Sequence, residues 1–398
     1  MAVRKIKADV YYVGAIDWHR RLFDSLIPTP DGTTYNAYLI KGKAKTALID
    51  TVDPSKEAEL LRNLDDAGVG SLDYIVSNHA EQDHSGLVGK MATLHPEAKI
   101  VTNAKCKEFL MDLLLVPGDR FMVVADGDTL ELGGKTLKFM LAPWVHWPET
   151  MFTYLVEDKI LFPCDFLGAH LAPAELLVES VDTFYEAAKR YYAEIMMPFR
   201  TSVTKHLERL SGIEIAMVAP SHGPIHTKPA SIMKAYGEWA SDRVKNEVVI
   251  PYVSMHGSTQ RMVDHLTDRL IERQIAVKPF DMVATDLGKL AMALVDAATI
   301  VIAAPTVLVG PHPLAVYAAY LANALRPKTR FAGVIGSYGW GTKMVDTIKA
   351  QLPNLKVELL TPVVIKGYPK ADDLKSLDTL ADEILEKHRK AGIVTSLA

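Results

Sequence analysis

Seven residues carry the strongest chemical signal in the chain, and four of them are crowded together. The segment SNHAEQDHSG (77–86) holds His79, Glu81, Asp83 and His84 directly after the apolar run DYIV. A strand that ends in a short loop is a rigid place from which to converge side chains on a cation. Imidazoles and carboxylates at this density are hard to explain as packing; the other explanation is a solvated polar loop. Three more candidates each follow an apolar run: His146 after LKFMLAPWV, Asp165 after KILFPC, and His222 after IAMVAPS. A lone histidine after a strand is usually structural, but four strand ends pointing the same way favour a shared task. Together His79, Glu81, Asp83, His84, His146, Asp165 and His222 suffice for two metal ions and double as the catalytic residues. Asp165 is the natural bridge, since its two oxygens can each hold one ion. His226 competes with His222 for the last position. His170 either orients a ligand or is a satisfied polar histidine. His19 and His95 carry no signal. Trp147 either walls the pocket beside His146 or belongs to the core.

This pattern resembles the metal-binding grammar of the metallo-β-lactamase fold over roughly residues 1–240. Hydrolases of that fold resemble H-x-H-x-D-H, whereas here Glu81 holds the second histidine position. Replacing an imidazole by a hard anionic oxygen favours iron over zinc.

The elements around these residues fall into two styles. Up to about residue 240 the chain has many short apolar runs: 10–14, 36–40, 46–50, 73–78, 99–103, 121–125, 137–143, 151–156 and 159–163. Helical patterns fall at 54–67, 104–115 and 181–210. Strands in groups with helices outside them suggest packed sheets. From about 248 the grammar changes to alternation: VVIPYVSM, a helix over 258–273, IAVKPF, a helix over 286–297, TIVIAAP, a helix near 314–325, FAGVIGS, a helix over 342–352, KVELLTP and a helix from 371 to about 390. Apolar strands alternating with helices mean a doubly wound parallel sheet. The fold class is therefore α/β multidomain: a metallo-β-lactamase-like αββα sandwich over 1–246, then a flavodoxin-like five-stranded sheet over 247–398. The polar stretch SDRVKNE (241–247) separates them.

Three loops of the second part offer a flavin site. Ser254, Met255, His256, Gly257, Ser258 and Thr259 end its first strand and open a helix, where backbone N–H groups and hydroxyls make a phosphate cradle. The loop lacks the spacing of a triphosphate or dinucleotide motif, so one monophosphate fits it better. Pro305, Thr306, Val307, Leu308 and Gly310 follow the third strand. Ser337, Tyr338, Gly339, Trp340 and Gly341 follow the fourth, with two flat aromatic surfaces. In a sheet ordered 2-1-3-4-5 these strand ends line one crevice. A flat ring with one phosphate is FMN.

Composition narrows the rest. The chain has 398 residues, a formal charge of -4 and two cysteines, Cys106 and Cys164. The charge gives no reason to expect a nucleic acid or membrane partner. Two cysteines exclude a disulfide framework, an all-cysteine iron–sulfur site and a fused rubredoxin. The start lacks the apolar core of a signal peptide, and no run is long enough to span a bilayer. A cytoplasmic protein is expected.

The H-x-E-x-D-H domain followed by a flavodoxin-like domain resembles the flavodiiron proteins (A-type flavoproteins) along essentially the whole chain. GTTYNAYLI (32–40), HWPETMFTY (146–154), KRYYAEIMMPF (189–199), PSHG and SYGWG carry the likeness, which is close to the rubredoxin:oxygen oxidoreductases of that family. The resemblance implies one iron on His79, Glu81 and His146, another on Asp83, His84 and His222, and Asp165 between them. It implies FMN, reduction of O2 to water or of NO to N2O, and electrons from rubredoxin or another external donor such as coenzyme F420. It also implies a head-to-tail homodimer, or a dimer of dimers, that brings one subunit's FMN beside the other's irons. Two departures stand out. Asp24 stands where many members have a histidine, and the stretch between Asp165 and His222 is a few residues short. Two other readings stand beside this one: a dizinc hydrolase fused to a flavodoxin, and a flavodoxin-type electron carrier with a vestigial metal domain.

Overall fold

The structure is a computed structural model, and it describes residues 3–394. It divides into two compact units, Met1–Ala240 and Ser241–Ala398.

The first unit is built on two mixed sheets. One runs in the order Arg4–Lys7, Val10–Tyr12, Tyr38–Lys41, Thr46–Ile49, Tyr74–Val76, Lys99–Thr102, Phe121–Val123. The other runs Thr129–Glu131, Thr136–Leu141, Met151–Leu155, Ile160–Phe162, Met217–Val218, Ile225–His226, Leu177–Val178. Side chains alternate along a strand, so each sheet has an inner and an outer face. The inner faces meet through Tyr38, Ile49, Val76 and Val101 from the first sheet and Phe139, Leu155 and Phe162 from the second, all buried. The outer face of the first sheet packs Leu39, Leu48, Ile75 and Ile100 against Leu60, Leu64, Met91 and Leu110 of three helices. That makes a sandwich of two sheets with helices outside.

The second unit is one parallel sheet of five principal positions. Its order is Ala276–Asp281, Lys245–Tyr252, Ala297–Val307, Phe331–Tyr338, then Glu358–Leu359 and Val363–Lys366, both paired to the fourth strand. The central strands are apolar along their length because helices cover both faces. Ile300, Ile302 and Val334 pack on one side with Leu290, Ala318 and Ile348. Val248, Val301 and Ile335 pack on the other with Leu266, Leu377 and Ile384. The strand order reverses between Lys245–Tyr252 and Ala297–Val307, so a crevice opens at their C-terminal ends.

Three stretches differ from the sequence reading. The 77–86 segment is not all loop: Gln82–Ser85 forms one helical turn, which carries Asp83 and His84. The 181–210 helix is broken into Val181–Phe184, Tyr185–Tyr191, a π turn over Tyr192–Met196, Met197–Phe199 and Arg200–Ser211. Pro198 has no N–H to continue an α-helical ladder, and the break falls there. A further helix, Ala230–Ala240, was not foreseen. Among the described residues no helix is long and apolar enough to cross a membrane.

Candidate functional site

The loop after Tyr74–Val76 is pinned before it reaches His79. Asp50 accepts hydrogen bonds from the backbone N–H and the side-chain amide of Asn78, each at 2.8 Å, and Thr153 Oγ1 donates to Asn78 Oδ1 at 2.7 Å. Burial pushes the Asp50 carboxyl up to about 6. His79 is then fixed by a residue the sequence reading missed. Its Nδ1 lies 2.7 Å from Glu149 Oε1, which also accepts the Ala80 N–H at 3.0 Å. A carboxylate on the far ring nitrogen sets the tautomer and aims Nε2 inward. The clue was the Glu in HWPET, three residues past His146.

His222 is aimed in the same way. Its Nδ1 lies 2.6 Å from the Thr34 carbonyl. The chain then turns at Gly223, whose φ is +79°, and a Cβ there would lie 2.7 Å from the Ala169 carbonyl. Backbone bonds from Ser221 N–H to the Cys164 carbonyl (2.8 Å) and from Ala169 N–H to the His222 carbonyl (3.2 Å) tie this loop to the one holding Asp165.

All seven predicted metal residues meet, and they sort into two groups. His79, Glu81, His146 and Asp165 bring ligand atoms together, as do Asp83, His84 and His222. Glu81 Oε2 is 3.1 Å from Nε2 of both His79 and His146. Asp83 Oδ2 is 3.3 Å from His84 Nε2 and 3.0 Å from His222 Nε2. Asp165 lies between them. Its Oδ2 faces His79 at 3.5 Å and His146 at 3.3 Å, while its Oδ1 faces His84 at 2.9 Å and His222 at 3.4 Å. Cys164 also falls within reach of His84 and Asp165, but burial raises its thiol far above the usual range.

The electrostatics call for cations. Burial would lower His84 and His146, but neighbouring carboxylates outweigh it and hold both near 9: Asp83 and Asp165 for His84, Asp165 and Glu81 for His146. Burial would raise Glu81, yet hydrogen bonds from His146 and His79 hold it well below the usual range. Among the described residues, neither oxygen of Asp83, nor Asp165 Oδ2, nor His84 Nδ1 has a hydrogen-bond partner. Buried carboxylate oxygens left so are costly unless a metal completes them. Hard oxygen with imidazole donors suits two iron ions.

Other histidines have separate employment. His226 lies 3.2 Å from the Leu167 carbonyl, and burial pushes it down to about 4. His170 lies 2.9 Å from Thr33 Oγ1, its ring 4.6 Å from that of His222. Trp147 stands edge-on to His79 at 4.9 Å. Asp24 borders the cluster. Burial, then the charges of Glu81 and Asp83, raise its carboxyl to about 6. Tyr191 Oη donates to Asp165 Oδ1 at 3.0 Å.

In the second unit the three predicted loops converge. Ser258 Oγ lies 2.8 Å from Ser337 Oγ, and Thr306 Oγ1 donates to Thr342 Oγ1 at 2.9 Å. Gly257 precedes the Ser258–Glu272 helix with φ +83°, a left-handed turn that opens the backbone N–H groups of the first turn. Ser254 Oγ takes the Gln260 N–H at 3.1 Å, while buried Thr259 Oγ1 has no hydrogen-bond partner among the described residues. These donors fit a phosphate. The middle loop is tighter than expected: Val307 pairs with Gly310, and Leu308 and Val309 form the tip at φ 47° and 70°. Met255, Leu308 and Trp340 are exposed, Trp340 by 85%. Met255, His256, Gly339 and Gly341 lie on these loops, whereas Pro305 and Tyr338, expected after their strands, are still within Ala297–Val307 and Phe331–Tyr338, at the C-terminal ends.

Known proteins resemble this chain along most of its length. The ODP family beta lactamase model matches residues 33–223. The chain is 34% identical over 386 residues to a nitric oxide reductase of Moorella thermoacetica, covering 94% of this chain and 96% of that one. It is 34% identical over 388 residues to a coenzyme F420H(2) oxidase of Methanothermobacter marburgensis, covering 94% and 95%. Among solved structures, the rubredoxin oxygen:oxidoreductase of Desulfovibrio gigas superposes with a TM-score of 0.93 at 29% identity, over 98% of this chain and 100% of that one. The flavodiiron protein of Giardia intestinalis gives 0.86 at 27%, over 97% and 98%.

Proposed function

The chain belongs to the flavodiiron proteins, and from that premise we propose how its residues divide the work. It is an oxidoreductase that carries FMN and a non-haem diiron centre and reduces O2 to water, NO to N2O, or both. The observation that carries the reading is the sorting of six ligand-type residues into two groups whose histidines face opposite oxygens of the seventh, Asp165.

His79, Glu81 and His146 would hold one iron and Asp83, His84 and His222 the other, with Asp165 placed to serve both. The Ser254–Thr259 loop would take the FMN phosphate, and the strand ends and loops around Thr306 and Tyr338 would border the ring. When bound, FMN and the iron pair each supply two electrons, together the four that O2 needs to become two waters. Glu149 and the Thr34 carbonyl keep the ring nitrogens of His79 and His222 facing the pocket. Trp147 and the buried Tyr35 exclude bulk water around it. Asp24, at the rim, can hold a proton near the incoming gas.

Electrons come from an external donor, rubredoxin or a reduced deazaflavin of the F420 type. A head-to-tail homodimer, alone or doubled, would set one subunit's flavin beside the other's irons. The chain acts in the cytoplasm. The carboxylate at Glu81 counts against a dizinc hydrolase, and the complete ligand set counts against a mere electron carrier. The test is anaerobic reduction followed by rapid mixing with O2 or with NO. Reoxidation of the flavin by at least one gas is expected, and the two rates give the preferred substrate. A protein that neither gas reoxidises overturns the reading.

A further inference from the structure

One wall of the metal pocket is made of residues that the reaction above does not use. Tyr191, whose hydroxyl reaches Asp165, is followed in the chain by Tyr192. The Tyr192 ring lies 5.3 Å from that of Tyr236 and 5.3 Å from that of Trp239. Tyr236 approaches the pocket by a second route, edge-on to Phe166 at 5.5 Å, next in the chain to Asp165. Tyr236 and Trp239 are 5.4 Å apart. All four are buried. Trp239 then leads outward: its Nε1–H donates to Tyr185 Oη at 3.0 Å, with the rings 5.4 Å apart, and Tyr185 is 40% exposed. Ring contacts thus run continuously from Tyr192 and Tyr236 through Trp239 to Tyr185 at the surface, and the backbone joins them to the pocket at two places, Tyr191–Tyr192 and Asp165–Phe166.

Volume alone does not account for this choice. Leu or Phe would fill the same core without burying hydroxyl and indole groups, each of which must be taken out of water. What phenols and indoles share is that they lose a single electron more readily than aliphatic side chains. Two members also have hydrogen-bond partners for their protons, Asp165 for Tyr191 and Tyr185 for Trp239.

We propose that Tyr191, Tyr192, Tyr236, Trp239 and Tyr185 form a one-electron relay that drains oxidising equivalents from the metal pocket to the surface. It rests on the O2-reducing reading above. Two waters from O2 require four electrons and four protons. When O2 meets a site that holds three electrons, the fourth comes from Tyr191. Its phenol gives one electron to the oxygen under reduction. Its proton crosses the hydrogen bond toward Asp165 and ends in product water. Trp239 then supplies an electron inward through the Tyr192 and Tyr236 rings, and Tyr191 regains a proton from solvent. Tyr185 refills Trp239 and releases its own proton to solvent. A soluble one-electron reductant, such as a thiolate or ascorbate, quenches the Tyr185 phenoxyl. The relay spares His79, His146 and Trp147 from oxidation.

The test uses the iron- and FMN-loaded chain, reduced anaerobically short of full loading and mixed with excess O2. Freeze-quenched samples are read by electron paramagnetic resonance, and repeated O2 pulses are followed by peptide mass spectrometry. The native protein is expected to show a tyrosyl signal that disappears in Tyr185→Phe. In Trp239→Phe, oxygen insertion into the peptides bearing His79, His146 and Trp147 should rise severalfold, while the initial O2 rate stays native. If Trp239→Phe does not fold, Tyr185→Phe decides alone, since that side chain is half-exposed: its radical should become indole-type. O2 consumption with no signal assignable to Tyr185 or Trp239 overturns the relay and leaves the function standing. So does equal damage in native and Trp239→Phe protein. If the loaded native protein consumes no O2, the function itself fails and the relay falls with it.

Discussion

The metal pocket and the flavin loops are opposite kinds of site. The pocket is made of side chains: three carboxylates and four imidazoles, with His79 and His84 fully buried, His79 oriented by Glu149 and His222 by the Thr34 carbonyl. The flavin loops are made mostly of backbone, with their apolar members turned outward at Met255, Leu308 and Trp340. A cation needs fixed charges in a dry place, so residue identity cannot vary there. A phosphate at a helix start needs N–H groups, which any residue supplies, so conformation matters more than identity. Changes of side-chain chemistry should therefore cripple the first site, and changes of backbone freedom the second.

The largest effect should come from Asp83→Asn, which removes an anionic donor from one ligand group. O2 or NO consumption is expected to fall by at least about a hundredfold, with iron content reduced and FMN content unchanged. Activity loss accompanied by loss of FMN would break the contrast. A smaller effect is expected from Glu149→Gln, which keeps a hydrogen-bond acceptor at His79 Nδ1 but removes its charge. Iron affinity should drop about 10- to 100-fold, as measured by competition with a chelator. Unchanged affinity would mean that the His79 ring is held by packing alone.

Gly257→Val examines the other side of the contrast. A side chain at φ +83° costs about 1–2 kcal/mol, which is about tenfold in flavin affinity. Iron content should not move, and a titration of the apoprotein with FMN reads the difference. The smallest effect is one of pH. Burial lowers His388 to about 4, with its ring nitrogens 2.7 Å from Thr299 Oγ1 and from Asn246 Oδ1. The unfolded chain binds that proton near 6.5. Between those values the unfolded state holds more protons, so stability rises with pH and is lost as pH falls from about 6.5 toward 4. Urea unfolding of native protein and His388→Asn should converge at the acid end of that window. Parallel curves would remove His388 from the account.

The same contrast explains what could be read from the sequence. The metal residues stood out because their types are rare at strand ends, and the structure gathers all seven. Short apolar runs such as KILFP and TIVIAAP marked strands because sheets bury them on both faces. Glu149 was missed because a single carboxylate looks like surface until it is found buried against a ring. The helical turn under Asp83 and His84 was too short to show a period. The π turn at Tyr192–Met196 shifts the 3.6-residue pattern, so an unbroken helix was expected where the chain widens. The Leu308–Val309 tip gave no signal, since those residues seldom adopt positive φ.

The account stands most directly on a count of electrons against gas. Protein loaded with iron and FMN would be titrated anaerobically to full reduction, then mixed with a limiting amount of O2 while oxygen and hydrogen peroxide are followed together. Four electrons accepted per subunit, one O2 consumed per four electrons and no peroxide is the predicted result. Uptake of only two electrons, with peroxide as the product, would mean that the seven-residue pocket takes no part in the reaction, and would contradict the account.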